Sequence, residues 1–528
     1  MCLPEMTATQ ARTMEDIPRK RASAGPTTNA GAGTTSSQKT KQDRTPSTTS
    51  QSTSSEDGGG SSLSTSPNLT SSNSNVGMKR LYTREEVAEL VKEKDDVYLF
   101  IIRQKVYKIP QNWAMQSHPG GEILLRDARG ADISIPFVSN HRPEVVEPLL
   151  KRWHVGYVET EQSKMEKEFL QLVDELQKDP SWFKSRPSFY LGLVARYFTL
   201  LGCSVACALY GQSYFVRVIL SAVLLGIYFQ QVAFIGHDLG HNGVTHSIFL
   251  DEIFGLFWGN AMSGISGGWW KTTHNVHHLV TNSVEYDPDI QHLPMLCVSD
   301  KYFNNVFSEF HMKTFEFDKF AQIALRCQHI LYYPIMALAR FNLYLQSIIL
   351  CLTPYDVFRR WGGKSRSKEL ATLGFFWSWM SLLLSKFNSW DETVVFLLVS
   401  HAIAGILHVQ ITISHFPMPV VEGNPLKNEK LNFIQLQLQG TIDVDCPPWM
   451  DWFHGGLQFQ ASHHLIPRIP RHNLRRLRDE KILPFCKKHG VEYKSDGFVA
   501  CNLMVIDTLR KTADRVSPFL IDAINAAG

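Results

Sequence analysis

The sequence predicts a small α+β domain followed by an all-α domain that crosses a membrane several times, with a polar extension in front of both. Three observations predict this. Residues 1–77 are dense in Ser, Thr, Gly and Asn, and such a stretch holds too little apolar surface to fold, so it is expected to be disordered. Residues 78–160 have the mixed composition of a globular domain. From residue 189 onward, apolar runs long enough to span a bilayer recur, since about 20 apolar residues cross a core of about 30 Å.

The 528 residues carry 53 Lys and Arg against 50 Asp and Glu, a net charge of +3. Nothing in that balance points to a nucleic acid partner. Nine cysteines are scattered without a CxxC pair, so neither a zinc ribbon nor a disulfide framework is expected, and the simplest setting is reduced and cytosol-facing. No apolar h-region follows Met1, so no secretory signal peptide is expected. The Ser-rich extension has the serine content of a transit peptide, but its acidic residues weigh against one.

Taken in order, the α+β domain opens at YTREEVAELV, where Thr83 and Glu86 have the spacing of a capping box. VYLFIIRQKVYKI then predicts two short strands. His118 precedes Pro119, Gly120 and Gly121 in a tight turn, and His141 follows 23 residues later. Two imidazoles from opposing loops can hold a haem iron between them. Residues 161–188 read as a linker, an amphipathic helix and then a proline break, able to lie along a membrane surface. Residues 189–500 form the membrane domain and 501–528 a tail. Within the membrane domain the apolar runs are 189–210 (which contains Arg196), 214–236, 329–352, 370–385 and 393–413, with 248–265 suited to the interface. Four spans with interfacial helices are expected. The basic stretch FRRWGGKSRSKE fits the cytosolic side.

Histidines gather where these runs end. GGWWKTTHNVHH places His274, His277 and His278 on one helical face. Such a face is either a metal site or a polar interfacial patch. IGHDLGH places His237 and His241 at i, i+4, and FHGGLQFQASHHLIP supplies His463 and His464 with Gln460 one turn before them.

These motifs carry two resemblances. HPGG, GADIS and PFVSNH resemble the cytochrome b5 haem-binding module over about 80 residues, which implies haem b with His118 and His141 as axial ligands. The sequence departs from that pattern with DIS where the family often has DAT, and with an Arg–Gln pair in the second strand. The series HxxxH, HxxHH and QxxHH resembles the three histidine boxes of the membrane-bound fatty-acyl desaturase and hydroxylase superfamily. The glutamine and the fused module mark its front-end desaturases. The resemblance implies two non-haem iron ions on His237, His241, His274, His277, His278, His463 and His464, with His415 as one more ligand from the segment GILHVQITISHFP. His408, one face with His415, is implied as a ligand or a donor behind one, and Gln460 as a weak ligand. Asp238 and Asp289 are expected to accept from imidazole N–H groups, whereas His246, His292 and His472 read as ordinary polar residues.

YDPDIQHLP and HLIPRIPRHNLRR look closest to the sphingolipid delta-8 desaturases, which act on the long-chain base of a ceramide. QASHH stands where most front-end enzymes show QIEHH, a departure that bears on substrate. The alternatives are a delta-6 or delta-5 front-end desaturase of polyunsaturated acyl lipids or acyl-CoA, a lipid hydroxylase, and a haem-binding membrane scaffold without iron. The desaturase readings imply dioxygen and a lipid bilayer as partners. No GxGxxG opens a βαβ unit, so a separate NADH-dependent cytochrome b5 reductase is expected. The family implies the endoplasmic reticulum, with haem module and boxes on its cytosolic face.

Overall fold

The computed structural model describes residues 79–94, 96–360, 363–428 and 430–527; the extension expected to be disordered, residues 1–77, lies outside them. The small domain is a four-stranded mixed sheet with short helices on it. Strands β1 (Arg80–Tyr82), β2 (Tyr98–Ile102), β3 (Lys105–Ile109) and β4 (His154–Val158) lie in the order β1-β4-β3-β2, with β1 parallel to β4 and the other pairs antiparallel. Helix α1 (Arg84–Lys92) starts at the Thr83–Glu86 capping box. Arg103 and Gln104, expected in the second strand, lie outside it and form the two-residue turn between β2 and β3. Both have positive φ, 49° and 63°, the geometry that matches the twist of a tight hairpin. Helices α2 (Gln111–Gln116), α3 (Glu122–Ala128), α4 (Ser134–Asn140) and α5 (Pro143–Trp153) complete the domain.

The linker helix α6 (Lys164–Lys178) has its own capping box, Ser163 with Glu166. Protein, rather than lipid, covers its apolar face. Its apolar stripe, Phe169, Leu170, Val173 and Leu176, is buried between Ile135 and Val138 of α4 and Phe459, Leu465 and Ile466 near the third histidine pair. An amphipathic helix buries that stripe wherever an apolar face is offered, and here the two flanking domains offer one.

The membrane domain is mainly helical: α7 (Pro187–Tyr210), α8 (Ser221–Gly240), α9 (Ile248–Gly255), α10 (Gly267–Leu279), α11 (Gln328–Leu352), α12 (Arg366–Leu384), α13 (Trp390–Ala404) and α14 (Ile406–Thr412). Four helical stretches among the described residues are long and apolar enough to cross a membrane: Pro180–Tyr210, Phe215–Gly240, Gln328–Leu352 and Trp390–Thr412. Arg196 is tolerated inside the first because Nη1 donates to Gln231 Oε1 at 3.1 Å.

Length and composition do not decide which helices cross. The flanks of α11 both return to the side that carries the small domain. Before it, Arg126 Nη2 of α3 donates to Glu309 O at 3.0 Å. After it, Arg359 Nη2 donates to Gln116 O of α2 at 3.3 Å. At the opposite end of the domain, Arg217 pairs with Glu392 at the starts of the Phe215–Gly240 and Trp390–Thr412 stretches. With α11 lying across the bundle and α12 crossing it, α7, α8, α12 and α13 make an even number of passes. Residues 248–261 expose Phe249, Leu250, Ile253, Phe254 and Phe257, as an interfacial helix does. Of the expected tail, residues 501–527 belong to helix α15 (Phe498–Ala527), whose Cys501, Val505 and Leu509 are buried against Tyr332 and Met336 of α11.

Candidate metal centre and haem site

Eight imidazoles converge on the small-domain side of the bundle. His237 and His241 stand at the C-terminal end of α8, and His274, His277 and His278 on α10. His463 and His464 stand on the short helix Gln460–Leu465, and His415 just beyond α14. Two groups result. His237, His241, His274, His278 and His463 bring one ring nitrogen each within 4.8 Å of one another, and so do His277, His415 and His464. His274 Nε2 lies 3.2 Å from His237 Nε2 and 3.1 Å from His278 Nε2. Ring nitrogens so close, with only one proton or none to share, are the arrangement left when several imidazoles aim at one cation. Two metal–nitrogen bonds of about 2.0–2.1 Å would set such a spacing.

The other nitrogens explain why the rings point inward. His277 Nδ1 donates to Asp287 Oδ2 at 2.8 Å, His274 Nδ1 faces Asp289 Oδ2 at 3.4 Å, and His415 Nδ1 donates to Gly440 O at 3.2 Å. His464 Nδ1 donates to Gln437 Oε1 at 2.8 Å. The Gln437 amide is itself fixed, because its Nε2 donates to His278 O at 2.9 Å. Such outer partners fix tautomer and orientation. The inward Nε2 atoms of His241, His463 and His464 are buried with no hydrogen-bond partner, a cost a protein rarely accepts without a ligand. Burial first, and then the neighbouring imidazoles, hold His241, His278, His415, His463 and His464 well below the ordinary histidine pKa, so they are neutral and able to ligate. In His277 burial is outweighed by the Asp287 and Asp289 carboxylates, which raise it. The donor set is nitrogen-rich and neutral, which suits iron, zinc or copper rather than calcium or magnesium.

The structure brings together all eight histidines the sequence singled out. It does not bring His408 into either group; its Nε2 is buried without a partner. Gln460 is buried one turn before His463 with Oε1 unpartnered. Asp289 stands beside His274 as expected. Asp238 does not serve His237: the 3.9 Å gap is too long for a hydrogen bond, and its carboxylate pairs with Arg471 Nε at 3.1 Å and Tyr190 OH at 3.3 Å. His292 donates to Asp289 O at 2.8 Å, and His246 bonds to Phe183 O.

Sequence reasoning missed Asp287, Gln437, Asp443 and Trp270. Asp287 caps the short Pro288–Ile290 turn through Oδ1 while Oδ2 takes the His277 and Asn282 N–H groups; the DPD triplet was its signal. Asp443 Oδ1 accepts Ala461 N at 3.0 Å and so holds the start of the third-box helix. Trp270 stacks on His274 with centroids 4.6 Å apart. A Cβ on Gly240 would stand 2.1 Å from its ring, so that glycine is required by the close approach. The third box is tied to the first by buried amides: Gln230 Nε2 donates to Gln410 Oε1 and Phe453 O, each at 2.8 Å, and Gln231 Nε2 to Trp452 O at 2.9 Å.

In the small domain, the His118 and His141 rings lie 6.2 Å apart at 36°. Two imidazole–metal bonds of about 2 Å on opposite sides of one iron separate ring centres by about 6 Å. Each Nδ1 donates to a backbone carbonyl at 2.9 Å, Gly121 O and Phe137 O respectively, so each Nε2 is the free, accepting nitrogen. Gly121, at φ +92°, turns the chain between His118 and α3. The residues present therefore fit a bis-histidine haem. This domain rests on the membrane domain through Ile123 and Leu124 of α3, packed on Val276 of α10, on Val280 just beyond it and on Phe310.

Comparison with known proteins gives two family matches: fatty acid desaturase over residues 213–497, and cytochrome b5-like heme/steroid binding domain over residues 83–159. A "Delta(8)-fatty-acid desaturase" of Helianthus annuus is 37% identical over 450 residues, covering 85% of this chain and 94% of the relative. An "Acyl-lipid (9-3)-desaturase" of Borago officinalis is 37% identical over 441 residues, covering 83% and 94%. A "Delta 8-(E)-sphingolipid desaturase" of Komagataella phaffii is 45% identical over 306 residues, covering 56% and 54%.

Proposed function

This chain belongs to the fatty acid desaturase family, as an oxygen-dependent lipid desaturase fused to a cytochrome b5-type domain, and from that premise we propose that it inserts the delta-8 double bond into the long-chain base of a ceramide. The observation that carries the chemistry is the convergence of eight imidazoles, most of them buried, in two adjacent groups beside a bis-histidine haem site. The delta-8 relatives support the substrate.

We assign the first group, His237, His241, His274, His278 and His463, to one non-haem iron, and His277, His415 and His464 to a second. Such an iron pair, when bound, supplies the oxidant strong enough to take hydrogen from an unactivated methylene. Haem b on His118 and His141 supplies single electrons. The net reaction takes dioxygen, two electrons, two protons and a –CH2–CH2– unit to two waters and a –CH=CH– unit. The chain's own residues do the rest. Asp287, Asp289, Gln437 and the Gly440 carbonyl hold one nitrogen of His277, His274, His464 and His415, so the other stays aimed inward and unprotonated. Burial of both groups excludes water, which would otherwise quench the oxidant. Gln460 Oε1, buried and unpartnered in the third box, would accept from a water there.

A separate NADH-dependent cytochrome b5 reductase reduces the haem. Haem module and boxes share the cytosolic face, with the endoplasmic reticulum as the membrane; the basic stretch after α11, which contacts α2 through Arg359, supports that side. The second reading, favoured by the acyl-lipid relative, is front-end desaturation of polyunsaturated acyl chains.

The test is the lipid profile of a host that makes ceramides but has no long-chain-base desaturase, expressing this chain beside a His277→Ala control. A new delta-8 double bond in the long-chain base, absent from the control, is expected. New unsaturation only in fed polyunsaturated fatty acids overturns the sphingolipid assignment for the acyl reading, and a hydroxyl in place of a double bond overturns it for a hydroxylase.

A further inference from the structure

We propose that Lys271 and Arg468, two cations of the membrane domain, complete the haem site of the small domain by holding the two carboxylates at the haem's edge. This rests on the assignment of haem to His118 and His141.

Arg468 follows the third box and is only 7% exposed. No carboxylate among the described residues lies within 4.0 Å of it, and its Nη1 is buried without a hydrogen-bond partner. Its surroundings lead directly to the haem pocket. The guanidinium lies 5.3 Å from the Phe183 ring, Phe183 O is bonded by His246, and His246 O accepts from Arg142 Nη1 at 3.1 Å. Arg142 is the residue after His141. It pairs with Glu144 at 2.6 Å, so one carboxylate stands there against the two guanidinium groups of Arg142 and Arg468.

Lys271 sits on α10, the helix on which α3 rests. Its ammonium has one polar contact, Asn242 Oδ1 at 3.4 Å. Neither nearby acid forms an ion pair with it: Asp251 Oδ1 takes Thr245 N and Oγ1 at 2.9 and 2.7 Å, and Glu252 pairs with Lys364 at 2.7 Å. The two charges act on opposite haem histidines. After burial and the Gly121 carbonyl, Lys271 is the next influence on His118. Arg468 acts on His141 behind burial, His118 and the Phe137 carbonyl.

Neither cation forms an ion pair among the described residues, and for the buried Arg468 guanidinium that is expensive. Haem, the group that His118 and His141 would hold, carries two carboxylates at its edge. An arginine takes a carboxylate in a forked pair and a lysine takes one as a point charge. With both paired, the haem is gripped from the small domain through its iron and from the membrane domain through its edge. Haem retention then depends on the docking of the two domains.

The test uses the full-length protein in detergent, with Lys271→Gln, Arg468→Gln, the double variant and Arg468→Lys. Haem loss to apomyoglobin and the haem midpoint potential are measured. Each glutamine variant is expected to lose haem about tenfold faster, the factor that ~1.4 kcal/mol represents, with a lowered midpoint potential, and Arg468→Lys to keep most of the retention. Reloaded with haem whose carboxylates are esterified, wild type and variants should lose it at one common rate. Unchanged loss and potential in the double variant would overturn the proposal. So would faster loss of natural and esterified haem alike, since that is the mark of a merely structural role. A wild-type protein that binds no haem would overturn the haem assignment itself, an outcome seen before any variant is compared.

Discussion

A chain with His278 replaced by alanine is expected to lose desaturation by roughly 10³-fold or more, since the loss of an outer partner alone costs about 10–100-fold at such sites. His278 joins the two groups. Its ring stacks on His464 at 4.0 Å and meets His241 edge-on at 4.6 Å, and its Nε2 lies 3.1 Å from that of His274. Removing it opens one group and strips the stacking partner from the other. Double-bond formation in the host's long-chain bases measures the first effect, and non-haem iron per chain measures the second. The haem spectrum of the same protein should be unchanged, because His118 and His141 belong to neither histidine group. A His278→Ala chain that desaturates at the wild-type rate would remove this residue from the centre.

Replacement of His141 by alanine should do the reverse. The ring is held by Phe137, through the backbone carbonyl at 2.9 Å and by stacking at 4.3 Å, so its loss leaves His118 without an opposing ligand at the 6.2 Å spacing. The six-coordinate haem spectrum should disappear, and NADH-driven desaturation by purified chain plus reductase should fall about 100-fold, the range in which loss of a metal's ligand environment is felt. Non-haem iron should stay at the wild-type level. Purified components are needed because a host's own small haem proteins can supply electrons. Unimpaired NADH-driven turnover in the purified His141→Ala chain would mean that electrons bypass the fused module.

Much of this site was legible because its ligands are set by local spacing. His237 and His241 at i, i+4, and His274, His277 and His278 at 0, 3 and 4, lie on one helical face before any tertiary structure is known. The HPGG turn and the 23-residue gap to His141 were equally local. The outer partners were not. Gln437 serves His464 across 27 residues and His278 across 159, and a glutamine in an apolar helix gives no sign of which ring it will meet. Asp238, four residues from nothing but its own box, was expected to serve His237; Arg471, far along the chain, claims it instead. The linker helix shows the same limit: its amphipathic stripe was plain, but a stripe does not say whether lipid or protein covers it. Hydropathy likewise ranked α11 with the crossing helices, and only the contacts at its two flanks place it across them.

The most direct measurement is the metal content of the purified full-length chain, with haem counted by its pyridine haemochrome and total iron by elemental analysis. One haem and two further irons per chain are expected, with no stoichiometric zinc or copper, and with the non-haem iron falling in His278→Ala but not in His141→Ala. Total iron equal to haem iron, or zinc in the histidine groups of an active enzyme, would contradict the assignment of the eight imidazoles to an iron pair.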